Sequence, residues 1–201
     1  LLSQQWRGSD SRSILLAAST RRGEDEIILQ AYQQVVNALE KPPLLVIVPR
    51  HPDRFDSVYE LRSRTGFTVV KRSDRGADVR NADILLGDTM GELMLFYGAC
   101  DIAFVGGSLV PKGGYIMIEP AAWGVPIISG PHLFNFSEVS QLLISGNALQ
   151  VCEDASHLAD QFTDLLQNSE RRQSMGNSAK QISEENRGAL TKMLEQIDRQ
   201  L

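Results

Sequence analysis

Seven short apolar runs, most of them without polar alternation, constrain this chain more than any other feature. They fall at residues 14–18, 44–48, 67–70, 84–86, 102–105, 126–129 and 148–151. A strand with one wet face alternates; one that stays apolar is buried on both faces, as in a parallel sheet covered by helices. The segments between the runs read as helices. Residues 24–39 place Ile27, Ile28, Ala31, Val35 and Leu39 at helical spacing and stop before Pro42 and Pro43. Glu24, Asp25 and Glu26 suit the positive end of that helix dipole. Shorter helices are expected at 91–99, 119–124 and 136–144, and an amphipathic one at 156–167. The polar tail, 170–201, carries spaced Met175, Ile182, Leu190, Met193, Leu194 and Ile197 and predicts one or two helices broken near Gly188. Strand–helix alternation of this kind predicts an α/β fold, a Rossmann-like doubly wound parallel sheet forming a single domain over residues 1–201.

A chain of 201 residues can bury the core such a domain needs. Its net charge of −5 disfavours a nucleic-acid-binding surface and still permits a local basic cluster for a small anion. Cys100 and Cys152 lie far apart beside apolar runs and read as reduced, buried thiols. His51, His132 and His157 are scattered without a cysteine pair, so no metal site is expected. No apolar stretch reaches the roughly 18 residues that span a bilayer, and no segment of it reads as a signal peptide, so none is expected within these residues. The sequence begins Leu1-Leu2, as a domain belonging to a longer protein would, so an anchor or partner domain is expected outside it.

In an open parallel sheet, ligands bind beyond the carboxyl ends of the strands, so the residues following each run carry the functional reading. After the first run, Ser19, Thr20 and Gly23 form either an anion cradle at a helix N-terminus or a plain cap. This is neither a G-x-G-x-x-G nor a Walker loop. After the second come Pro49, Arg50, His51 and Pro52; two prolines stiffen the turn, and the guanidinium suits a phosphate or remains a surface charge. After the fourth, Asp88 or Thr89 reads as a helix cap, while Met90 and Gly91 offer backbone and a flat apolar surface for a nucleobase. After the fifth, Gly106, Gly107, Gly113 and Gly114, with Ser108 and Lys112, let the backbone approach a ligand closely. Glu119 either accepts hydrogen bonds from ribose hydroxyls or complements its helix dipole. His132 and Asn135 close the series at the same edge.

Taken in order, these loops resemble the 3-deoxy-D-manno-octulosonic acid (Kdo) transferases of lipopolysaccharide synthesis. The matching stretches are Ala18-Ser19-Thr20 with Gly23-Glu24, Val48 to Pro52 with Arg54-Phe55, Gly87 to Leu93, Phe104 to Pro111, Glu119 to Ala122, and Gly130-Pro131-His132 with Phe134-Asn135-Phe136. They span about residues 13–145. The resemblance implies the C-terminal half of a glycosyltransferase-B fold that binds the donor CMP-Kdo. It implies Pro49, Arg50, Met90, Gly91, Glu92, Ile116, Met117, Ile118 and Glu119 as the CMP-site lining. It further implies an inverting transfer that needs neither bound metal nor cofactor. A separate N-terminal half would supply the catalytic base, the lipid A precursor as acceptor, and attachment to the cytoplasmic face of the bacterial inner membrane. This chain alone would then be soluble and inactive. The chain departs from the family's Gly-Gly-His-Asn pattern at Tyr115-Ile116. The competing readings are a UDP-GlcNAc 2-epimerase-like or other sugar-nucleotide enzyme, and a non-catalytic flavodoxin-like module. A first strand ending in Ser19-Thr20, rather than an acidic cluster, argues against the last.

Overall fold

A computed structural model describes residues 2–8, 11–61 and 65–198, with side chains as far as Arg187. All seven expected runs are strands: β1 (Ile14–Thr20), β2 (Leu44–Pro49), β3 (Val69–Lys71), β4 (Ile84–Leu86), β5 (Ile102–Val105), β6 (Ile127–Ser129) and β7 (Leu149–Val151). They form one parallel sheet in the order β3-β4-β2-β1-β5-β6-β7. Strands β1 to β4 occupy one side, with β4 inserted between β2 and the edge strand β3, and β5 to β7 then build outward on the other. The crevice between β1 and β5 is therefore the topological switch point, where α/β sheets bind ligands.

The unbroken apolar character of β1 has the cause inferred from sequence, since every residue from Ile14 to Thr20 is buried. Leu15 and Ala17 face a core shared with the Glu24–Ala38 and Ala155–Gln167 helices through Ile28, Val35, Leu158 and Phe162. Ile14, Leu16 and Ala18 face the opposite core, with Trp6, Phe96 and Tyr97. Each buried Leu, Ile, Val or Phe side chain among them contributes about 1.5–3 kcal/mol relative to exposure. The thiols behave as expected, with Cys152 buried and Cys100 half-buried. Burial pushes the Cys152 thiol up to about 12.

Helix boundaries differ slightly from the expected ones. The short helices are Leu93–Tyr97, Ile118–Ala122 and Ser137–Ser145. The tail is one helix, Ser169–Asp198, which spans the position of the expected break near Gly188. The side chains of Leu190, Met193, Leu194 and Ile197 lie outside the described residues. The helices Leu2–Arg7 and Phe55–Glu60 lacked a periodic signal long enough to detect. None of the described helices is long and apolar enough to cross a membrane.

Candidate anion-binding site at the carboxyl edge

The switch-point crevice is filled by the protein's own carboxylate. Glu24 is fully buried. Its Oε2 accepts hydrogen bonds from the backbone N–H groups of Arg21 (2.8 Å) and Gly107 (2.7 Å). Its Oε1 accepts from Ser108 and Leu109, both at 2.9 Å. The glycine loop, expected to offer its N–H groups to a ligand, thus directs three of them to Glu24. Gly106 is needed for packing, because a Cβ there would lie 2.8 Å from the Ser19 carbonyl oxygen and 2.9 Å from Glu24 Oε2.

The proposed Ser19–Thr20 cradle is likewise occupied. Thr20 is fully buried, and its hydroxyl donates to Asp25 Oδ1 at 2.6 Å. Arg54 pairs with Asp25 and donates to the Thr20 carbonyl at 2.7 Å. Burial raises the Asp25 carboxyl above its ordinary range, against the pull of the Thr20 and Arg54 hydrogen bonds. Neither Ser19 nor Thr20 caps the helix; Gly23 takes that place at φ 94°. Ser19 itself sits at φ 56°, where the β1–β2 register shifts by one residue. That bulge lets the Arg50 N–H reach the Thr20 carbonyl at 3.1 Å.

Several other expected site side chains are engaged by partners within the protein. Ser108 is buried; its hydroxyl donates to the Val105 carbonyl (2.7 Å) and accepts from the Gly130 N–H (2.8 Å). Met117 lies in a third core cluster with Ala121 and Leu143. Asn135 Nδ2 donates to the Lys112 carbonyl at 2.9 Å, joining two edge loops. Asp88 and Thr89 do not cap the next helix. Asp88 accepts from Ser73 N–H (2.8 Å) and hydroxyl (2.5 Å), whereas Thr89 bonds Glu92. Glu92 is also held by Arg72 at 2.8 and 3.2 Å. Burial pushes the Glu92 carboxyl up, but the bonds from Arg72 and Thr89 outweigh it and leave the group below its ordinary range.

The remaining residues form an open electropositive shelf. Pro49 closes β2, and Arg50 projects from it, exposed, with its guanidinium carbon 5.4 Å from the centre of the Tyr115 ring. Arg21 reaches the same ring at 5.3 Å. Its Nη1 lies 2.7 Å from His51 Nε2. Arginine only donates, so this His51 nitrogen must accept and the ring proton sits on Nδ1. Glu119, at the start of the Ile118–Ala122 helix, is raised above its ordinary 4.5 by burial, which Arg50 partly offsets. Met90 (63% exposed) and Ile116 (46%) supply apolar surface. Gly91, at φ 81°, has open space where a Cβ would stand.

Arg50 and Glu119 are brought together as the sequence predicted. Arg21, His51 and Tyr115 join them, although none of the three was assigned a binding role. Tyr115 carried a signal, since it replaces the family's histidine. Arg21 carried only its place directly after β1. Among the described residues Arg7, Arg54, Arg72, Arg80 and Arg171 are paired with carboxylates, and Arg21 and Arg50 are not.

A seven-strand parallel sheet flanked by helices, with its open shelf at the carboxyl edge, is the C-terminal Rossmann-like domain of a glycosyltransferase-B fold. The family model Glycosyl transferases group 1 matches residues 25–182. The chain is 44% identical over 187 residues to the 3-deoxy-D-manno-octulosonic acid transferase of Haemophilus influenzae, covering 92% of this chain and 43% of that protein. It is 36% identical over 196 residues to the Bordetella pertussis protein of the same name, covering 96% and 46%. It thus spans less than half the length of these relatives. The crystal structure of the C-terminal CMP-Kdo binding domain of WaaA from Acinetobacter baumannii superposes with a TM-score of 0.83 at 33% identity, covering 90% of this chain and 93% of that one. The chain belongs to the group 1 glycosyltransferases and, among them, to the Kdo transferases.

Proposed function

We propose that this chain is the donor-binding domain of a Kdo transferase and holds CMP-Kdo while a second domain presents the lipid A precursor. The carrying observation is the pair of guanidiniums, Arg21 and Arg50, gathered at the switch-point edge without a carboxylate partner among the described residues. CMP-Kdo carries a phosphodiester and a carboxylate, so it is a dianion. As the glycosidic carbon–phosphate oxygen bond breaks, negative charge builds on the departing CMP. A fixed cation beside it therefore stabilises the transition state more than the ground state. Met90, Gly91 and Ile116 present the apolar surface against which a cytosine would lie, and Glu119 is placed to accept from ribose hydroxyls. The acceptor, the general base and attachment to the cytoplasmic face of the inner membrane belong to the remainder of the full-length protein.

Titration of the chain with CMP, followed by backbone amide shifts, tests this reading. Shifts are expected at Arg50, Gly91 and Glu119, with CMP preferred over UMP. No response at millimolar CMP would sink the proposal, and a preference for the uridine nucleotide would point to the epimerase-like alternative. The flavodoxin-like alternative fits poorly, because its strand order 2-1-3-4-5 differs from the seven-strand order here.

A further inference from the structure

Two polar groups on neighbouring side chains in the site, Arg21 Nε and the Tyr115 hydroxyl, are buried without a hydrogen-bond partner. A buried donor left without an acceptor is destabilising. Two such groups on one stacked pair mark a place where an acceptor is missing. The rest of Arg21 is held in place, with its guanidinium over the Tyr115 ring and one nitrogen against His51. The ring edge rests on Gly107, where a Cβ would stand 2.8 Å from Tyr115 Cε2. Both side chains are only half-buried as a whole, so a rotamer change of either can uncover the two orphan donors.

We propose that Arg21 and Tyr115 form a second anion subsite, separate from Arg50, that takes the carboxylate of the sugar acid while Arg50 takes the phosphate. This inference rests on the CMP-Kdo reading above. The donor's two anionic groups hang from one carbon, the anomeric carbon, so they must be held close together. Arg21 and Arg50 share one aromatic platform, their guanidinium carbons lying 5.3 and 5.4 Å from the centre of the Tyr115 ring. The planar guanidinium fork matches a carboxylate, and the Tyr115 hydroxyl adds a donor beside it. A dianion between the two guanidiniums also relieves their mutual repulsion. The tyrosine that departs from the family pattern thereby supplies both the stacking surface for Arg21 and one of the donors.

The test compares CMP, which lacks the carboxylate, with CMP-Kdo in calorimetric titrations at fixed salt, using the chain and its R21Q, R21K and Y115F variants. CMP-Kdo is expected to bind the unaltered chain more tightly than CMP does. R21Q is expected to weaken CMP-Kdo by about tenfold or more and CMP by a clearly smaller factor, as for loss of a charged hydrogen bond to the carboxylate. Y115F, which keeps the ring, is expected to weaken CMP-Kdo severalfold and leave CMP unchanged. R21K keeps the charge without the fork, so it retains part of the preference even where R21Q folds poorly. If R21Q and R21K weaken both ligands equally or neither, or if the unaltered chain binds CMP-Kdo no better than CMP, the second subsite is overturned. Failure of the unaltered chain to bind either ligand would instead overturn the donor reading itself.

Discussion

Arg50 lies exposed and Glu119 half-buried at the open carboxyl edge of the sheet. Arg50 is exposed and its guanidinium bonds to no other described side chain, so replacing it should leave the fold intact. Arg50→Gln is expected to weaken CMP by roughly tenfold to a hundredfold, the range of a charged hydrogen bond, without moving the urea midpoint. A shifted midpoint with unchanged affinity would show that the residue is structural. Glu119 gives a pH prediction. Burial raises it above its ordinary 4.5, with Arg50 pulling the other way. Folding therefore favours its protonated form, and that contribution to stability is lost as pH rises through the raised value. Ligand binding runs in the opposite sense, because only the ionised carboxylate accepts from two ribose hydroxyls. CMP affinity is expected to fall as pH drops through a value above 4.5. The phosphate of CMP titrates near pH ~6 on its own, so the measurement is the affinity ratio of wild type to Glu119→Gln from about pH 4.5 to 7. A ratio that stays flat would remove Glu119 from the ribose site.

At the scale of elements, the junction of β1 and β5 is held by Glu24 rather than by a ligand. Its carboxylate collects four backbone N–H groups from the two loops that follow these strands. Glu24→Ala would leave these donors without an acceptor, three of them on the glycine loop. The expected cost is about 3–5 kcal/mol in denaturant unfolding. Glu24→Gln should cost nearly as much, since its amide nitrogen would face donors. A loss under about 1 kcal/mol for Glu24→Ala would mean that water replaces the carboxylate. The neighbouring β6 end is equally tight. A Cβ on Gly130 would stand 2.3 Å from the Ser108 carbonyl. Gly130→Ala must push the two loops apart, at an expected cost of about 1–3 kcal/mol readable as a lowered melting temperature.

For the whole molecule, the last helix is what connects the far side of the sheet to the site. Ser169–Asp198 packs against Ile118–Ala122, the helix that opens with Ile118 and Glu119. The contact is backbone to backbone, because a Cβ on Gly176 would come within 2.2 Å of the Gly124 carbonyl oxygen. Gly176→Ala is expected to lower stability by about 1–3 kcal/mol and to raise the rate of proteolytic cleavage in the tail. Unchanged cleavage would show that the helix seats elsewhere. Met175, Ala179 and Ser183 are buried along the same stretch, which is why the polar tail is part of the domain.

Much of this architecture is legible in the residues themselves. The apolar runs mark the seven strands most strongly at the centre of the sheet, where β1, β2, β4, β5 and β6 are buried on both faces, and more weakly at the half-buried edge strands β3 and β7. The order of the loops similarly points to the carboxyl edge and to Arg50 and Glu119. What the residues alone cannot state is who satisfies whom. A glycine-rich loop advertises free N–H groups, yet only the crossing at the switch point brings Glu24, more than eighty residues away, to take them. Thr20 reads as a cap until Asp25 and Arg54 close around it. Arg21 and Tyr115 are far apart in sequence and meet only because β1 and β5 are neighbours. Periodicity is a local property that sequence carries in full. The partner of a hydrogen-bonding group is set by strand order, which exists only once the chain has folded.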